Sequence, residues 1–272
     1  MCFLQTQQAK TFTTKKGRDN VADRIVDIAD GFWNIIGSFK IGLLDIGTQA
    51  SLVRLSSGKF VLLDAYELKG DVKDKVMSLT NDGKDIEAVI HLHPFHTVFV
   101  KPVAAMFPEA KQYGTIRHHQ KAPELTWEPE LTDQPDFHKL YEEDFIFSVP
   151  KGVDFIPDNE DLHFASVLAI HKASKTLHVD DTLIWLSFPL IGGLKFHLTF
   201  KKVLQKRPGA AAEFRQWANE FIELCGDVKH ICAAHAKKEV PSPEKRASTK
   251  ELVQGAFSRI ESTLNKHEKQ FG

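Results

Sequence analysis

Residues 91–96 read HLHPFH, three imidazoles in six positions at the end of the apolar run IEAVI. With 13 histidines among 272 residues, this spacing arises by chance in roughly 3% of chains of this length. It marks the segment without settling its role. If the strand runs on through the motif, His91 and His93 point to one face, because side chains alternate along a strand. His96 then sits where strand gives way to loop. Imidazoles fixed on a rigid element suit zinc and similar divalent ions. One buried histidine beside two solvated ones would account for the same six residues.

Further ligand-type residues recur downstream. His163 opens the strand-like LHFASVLAI, Asp181 closes KTLHVDD, and His235 closes VKHICAAHA. Strand ends are where folds gather functional groups. Three such residues in series after HLHPFH favour the metal reading over the bland one.

The elements that must position these residues are legible as a run of short strands finished by helices. VADRIVDIADGFWNI, FKIGLLDIG and the hairpin ASLVRL-SSG-KFVLLD read as β-rich runs with turns, and DVKDKVMSLTNDG as a helix with a glycine stop. IEAVIHLH is a buried strand, VKPVAAMF a helix and KQYGTI a strand, and 119–143 is a proline-rich acidic loop. DFIFSV, GVDFIP, LHFASVLAIH, KTLHVD and TLIWLSF form a second series of strands. A helix over GAAAEFRQWANEFIELCG, the strand VKHICAAHA and a C-terminal helix over about 243–269 complete the chain. Two strand-rich halves, each finished by helices, predict two sheets face to face with helices outside. One domain over 1–272 is expected, with a polar lead-in over about 1–20.

The order HLHPFH, LHFASV, DDTL, AAHA resembles the metallo-β-lactamase fold superfamily, whose signature runs HxHxDH, a Gly-His before a small-residue turn, Gly-Asp-Thr-Leu and a late histidine. VLLDAY, with Asp64, is similar to that family's early strand-plus-aspartate, and the likeness spans about residues 30–236. The resemblance implies an α/β fold, a four-layer αβ/βα sandwich with two mixed sheets and outer helices. It implies a first metal site of His91, His93 and His163, with Asp181 bridging to a second that holds His96 and His235. Asp181 would also orient the attacking hydroxide. The expected cofactor is one or two divalent ions, zinc first, with iron or manganese as alternatives. The sequence departs from the pattern at Phe95, where the family has an aspartate that ligates the second metal, and at Leu162 and Asp180, which replace glycines.

A net charge of -1 and a pI near 6.9, with no basic stripe, argue against nucleic acid as partner. The N-terminal MCFLQTQQAK is too polar for a signal peptide and no apolar run reaches membrane-spanning length, so a cytoplasmic protein with no membrane partner is expected. Cys2, Cys225 and Cys232 lack framework spacing and read as reduced thiols. His118 and His119, in TIRHHQ, are expected at an exposed strand end, or else as a replacement ligand or pocket lining, and His171, His178 and His197 as structural or surface groups. Trp127 either covers the site mouth or packs on the domain. The function expected is a metal-dependent hydrolase acting on a small-molecule ester, thioester or lactone. The alternatives are a non-hydrolytic metal- or ligand-binding relative with a remodelled site, and an iron-dependent redox relative.

Overall fold

Short β-rich runs alternating with helices build two sheets, and the computed structural model describes them over residues 23–41, 44–45, 47–186, 193–234 and 247–272. The first half runs β1 (Arg24–Ala29), β2 (Phe32–Gly37), the two-residue pair β3 (Lys40–Ile41) and β4 (Leu44–Asp45), then β5 (Thr48–Arg54) and β6 (Phe60–Leu63). Helix α1 (Gly70–Leu79), β7 (Ile86–Ile90), α2 (Val100–Met106) and β8 (Lys111–Tyr113) follow. The six strands β1-β2-β5-β6-β7-β8 lie in that order, antiparallel as far as β6 and parallel from there to β8. The change of sense coincides with the helical crossovers that parallel neighbours require.

The chain continues through α3 (Ile116–Lys121), α4 (Pro135–Leu140), β9 (Phe145–Ser148), β10 (Leu168–His171), β11 (Thr176–Val179), β12 (Leu183–Leu186) and β13 (Gly193–Phe196). It ends with α5 (Phe200–Val203), α6 (Ala210–Leu224), β14 (His230–Ala233) and α7 (Thr249–Phe271). The second sheet has the order β14-β11-β10-β9, with β11 and β14 parallel, while β12 and β13 pair separately.

Period-two alternation along these strands produces three buried layers and hence a four-layer sandwich. Trp33, Ile35, Leu52, Leu62 and Val89 pack with Val72 and Val76 of α1 and Val103 of α2. Phe32, Val53, Val61, Leu63, Phe145, Val167 and Ala169 share a core in which residues of both sheets meet. Leu168, Ile170, Leu177 and Val179 pack outward on α6 and α7. Helix α6 buries Ala210, Ala211, Phe214, Trp217, Ala218, Phe221 and Ile222, the one-sided stripe of an amphipathic helix. Each of its large aromatics contributes about 2–3 kcal/mol by leaving water. The fold is therefore the expected αβ/βα sandwich, with mixed sheets and helices on both outer faces.

Several boundaries differ from the sequence reading, each for a local reason. TIRHHQ opens a helix, because Thr115 and His118 form a reciprocal cap at its start. Pro135 begins α4 inside the expected loop, its fixed φ suiting a first helical position. GVDFIP is not a strand: Val153 makes one isolated bridge to Leu204. The strand expected from His163 starts at Leu168, and β7 stops at Ile90, before the histidines. Helix α7 starts at Thr249 because Ser248 and Glu251 cap each other there. The lead-in over 1–20, most of the expected helix start, and His235 lie outside the described residues. Among the described residues, no helix is long and apolar enough to cross a membrane.

Gly152 joins the β9 side of the fold to α6 at φ +72, and a Cβ there would stand 2.1 Å from the Ala210 carbonyl oxygen. Gly58 has φ +85 but nothing within 4 Å. Gly152→Ala should cost about 3 kcal/mol, left-handed strain plus overpacking, and Gly58→Ala about 1 kcal/mol from strain alone. Denaturant unfolding of the two variants checks this, and equal losses would show that the close approach does not matter.

Candidate metal centre

The loop that carries HLHPFH is held by one buried carboxylate. Asp64 follows β6 in the left-handed conformation, φ 58. Its Oδ1 accepts the backbone N–H groups of Leu92 (2.8 Å) and His93 (3.4 Å), while its own N–H donates to the Ile90 carbonyl. These bonds replace the ladder that ends with β7. Opposite, Asp180 and Asp181 leave the end of β11. The hydroxyl of Thr182 accepts the Ser166 N–H at 2.9 Å and donates to the Phe164 carbonyl at 3.1 Å. That pins the segment after His163 beside the aspartates.

The result is a cluster around one oxygen. Asp181 Oδ2 lies 3.3 Å from His93 Nε2, 3.6 Å from His163 Nδ1 and 3.8 Å from His96 Nε2. Asp181 and His93 are buried, His96 is 25% exposed at its side chain and His163 40%, so the cluster opens on one side. The His93 and His96 rings stack at 4.1 Å. Burial opposes charge on His93, but Asp181, Asp180 and Asp64 outweigh it and raise its pKa. His93 Nδ1 accepts the Phe95 N–H at 3.1 Å, which leaves the ring proton on Nε2, facing Asp181. A cation bound at Nε2 must displace that proton.

Of the residues singled out in the sequence, His93, His96, His163 and Asp181 come together, and His91 does not join them. Its Nε2 meets Gln112 Oε1 at 3.3 Å and its ring packs 5.1 Å from His118 and 5.5 Å from Trp127. The same-face argument for His91 and His93 holds only within a paired strand, and the pairing ends between them: the His91 N–H still donates to the Tyr113 carbonyl at 2.9 Å, while those of Leu92 and His93 turn to Asp64. Burial lowers the His91 pKa to about 4, so this imidazole is neutral, and its Nδ1 is buried without a partner. His118 is fully buried in α3, not at an exposed strand end, and Trp127 stacks on His119 at 4.8 Å. Phe95 stands 6.0 Å from the His93 ring and 5.7 Å from that of His163, with the Arg117 guanidinium 4.4 Å from its centroid. Where the family pattern has a carboxylate, this chain has an apolar ring capped by a cation.

A second group was missed. Asp64, His178 and Asp180 offer ligand atoms within 4.8 Å of one another, all buried. His178 alternates with Leu177 and Val179, which pack outward, so it faces the space between the sheets. Its Nε2 meets Asp64 Oδ2 at 2.9 Å and its Nδ1 meets Ser51 Oγ at 2.9 Å. Burial and the neighbouring Asp64 raise the Asp180 pKa to about 7, against the pull of His96 and His178. Burial alone would discharge His178, but its bond to Asp64 and the charge of Asp180 raise its pKa.

These shifts fix a sign for the metal-free protein. His93, His178 and Asp180 bind protons more tightly folded than unfolded, whereas His91, His118, His119, His138, His171 and His230 bind them less tightly. Above about pH 7.5, a unit beyond the unfolded imidazole value, the second set is almost neutral in both states, so only the first set still counts. The folded state then binds more protons, and stability falls as pH rises from about 7.5 to 8.5, by up to about 1.4 kcal/mol per pH unit for each such proton. Thermal melts in the presence of chelator should show this fall, and a rise over that window would contradict it.

No protein-family model and no curated protein matches the sequence. Solved structures do. The metallo-β-lactamase FIM-1 from Pseudomonas aeruginosa, in its mono-zinc form, is similar with a TM-score of 0.57 at 10% identity, over 88% of this chain and 96% of that one. The metallo-β-lactamase from Pontibacter korlensis gives a TM-score of 0.52 at 12% identity, over 88% and 99%. The metal-soaked Flv1 flavodiiron core from Synechocystis sp. PCC6803 gives 0.56 at 10% identity, over 89% of this chain and 61% of that one. The strand order, the four layers and these likenesses agree: the chain has the metallo-β-lactamase fold.

Proposed function

We propose that the protein is a metal-dependent hydrolase acting on a small ester, thioester or lactone. The observation that carries this reading is the buried Asp181 Oδ2 with three imidazole nitrogens within 3.8 Å. The residues fit a divalent ion. His93 Nε2 is buried without a well-aligned hydrogen bond, and one carboxylate with neutral imidazoles is the donor chemistry that zinc and iron favour. His93, His96 and Asp181, whose ligand atoms all lie within 4.8 Å of one another, would hold it, with His163 Nδ1 3.6 Å from Asp181 on the open side.

A bound divalent ion lowers the pKa of water to about 7 and polarises a carbonyl oxygen. The protein's own groups do the rest. Asp181 orients the nucleophile and accepts its proton, and the partly exposed His163 and His96 face the approaching substrate. Phe95 lines the mouth with an apolar surface, and the exposed Val98 and Leu198 follow His96 and His197 closely in the chain. That surface suits an acyl or ring portion better than a polyanion, in line with the near-neutral net charge.

The likeness to a flavodiiron core supports a second reading, an iron-dependent redox protein. The Phe95–Arg117 stack supports a third, a metal- or ligand-binding protein without turnover. Metal analysis of protein purified without chelator separates them: zinc favours hydrolysis, iron favours redox chemistry, and an empty site favours the binding reading.

His93→Ala and Asp181→Asn should each lower metal affinity at this centre at least tenfold, as loss of a ligand or its carboxylate charge does. Hydrolysis of an ester and lactone panel should fall with it. Metal content and turnover, measured together, check this, and full metal retention in both variants would remove the centre from the account.

A further inference from the structure

Beside the Asp181 centre lies a set of donors that it does not use. Asp64, His178 and Asp180 are each at most 1% exposed. In each of them one polar atom is anchored to the surrounding protein. Asp64 Oδ1 accepts the Leu92 N–H, Asp180 Oδ1 accepts from Gln49 Nε2 at 3.3 Å, and His178 Nδ1 is paired with Ser51 Oγ. The other three atoms, Asp64 Oδ2, His178 Nε2 and Asp180 Oδ2, converge.

Asp180 Oδ2 is buried with no N–H or hydroxyl donor aligned on it, and it faces the carboxylate of Asp64. It lies 3.9 Å from His178 Nε2 and 3.8 Å from His96 Nδ1. An orphaned carboxylate oxygen in a dry interior is costly unless a positive charge meets it. Two carboxylates and an imidazole, each oriented by a hydrogen bond on its far atom, form the arrangement found around bound metals.

We infer that Asp64, His178 and Asp180 form a second, interior site for a divalent transition cation, with His96 Nδ1 as its fourth donor; when both ions are bound His96 bridges them as an imidazolate, its ring proton released to solvent. Bonds of 2.0–2.2 Å place neighbouring ligand atoms about 3–3.6 Å apart. The 2.9 Å and 3.9 Å separations here bracket that range, so small rotations close the site. Two carboxylates balance a dication, and the imidazoles favour manganese, iron or zinc over magnesium or calcium. His96 stands between the two centres, its Nε2 toward Asp181 and its Nδ1 toward Asp180. It is the one partly exposed member and therefore the path of entry. The inference is independent of hydrolysis at the outer centre.

The test is a stoichiometric titration of chelator-stripped full-length protein with Zn²⁺ and with Mn²⁺, read by elemental analysis after gel filtration. The wild type should hold two ions per chain. Asp180→Asn and His178→Gln should each hold one, and His93→Ala should hold one as well. One ion in the wild type that His93→Ala removes and Asp180→Asn spares would overturn the inner site and leave the outer centre standing. One ion that the two inner variants remove and His93→Ala spares would support the inner site and remove the outer one. No ion at all would overturn both. Because a buried variant can fail to fold, manganese-edge anomalous diffraction from wild-type crystals gives the same answer without substitution. A peak enclosed by Asp64, His178 and Asp180 is expected, and its absence at saturating metal would overturn the site.

Discussion

The two sheets meet across the carboxylate of Asp64. Almost nothing of it reaches solvent, and a buried carboxylate survives only with its lone pairs engaged. One oxygen takes the N–H groups of Leu92 and His93 as β7 gives out, and the other reaches His178 on β11 of the opposite sheet. Its backbone donates to Ile90 from a left-handed conformation. Through these bonds one side chain fixes where the histidine loop leaves the first sheet and how far it stands from the aspartates of the second. Its own pKa is held low: burial would raise it, but the bonds with His178, Asp180 and Leu92 and the charge of His178 prevail.

The layer between the sheets divides into two regions. One is an apolar core around Phe32, Val53, Leu63, Phe145 and Ala169. The other is a hydrogen-bonded seam in which Asn34 donates to Gln49 and Ser51, and Gln49 Nε2 reaches the carbonyls of Val179 and Cys232. That seam backs the carboxyl ends of β6, β7 and β11, where Asp64, the histidine loop and Asp180–Asp181 emerge. A fully apolar interior would pack as well but would leave no anchored donors for a cation. The polar seam makes the site rigid without exposing it.

What was legible in the sequence follows from which signals are local. Alternation and turn residues revealed the hairpins and the layers, and the ligand-type residues at strand ends pointed to His93, His96, His163 and Asp181. The position of His91 was not legible, because its direction depends on where pairing stops, and Asp64 decides that from about 30 residues away. His178 read as an ordinary strand residue because TLHV is buried throughout and nothing local tells which neighbour is polar. Asp180 stood out as the residue in place of a glycine, but its role needs Asp64, His178 and His96, three distant segments. His118 was misplaced because the capping exchange with Thr115 overrode a strand-like reading of KQYGTI.

On the proposed reading a divalent ion is held around Asp181 by imidazoles of the histidine loop, with His163 on the open side. X-ray absorption at the zinc edge, on stripped protein loaded with one equivalent, tests it most directly. A nitrogen and oxygen shell at about 2.0–2.1 Å with outer scattering from two or three imidazole rings is expected. A shell of oxygen alone, with no imidazole scattering, would contradict it.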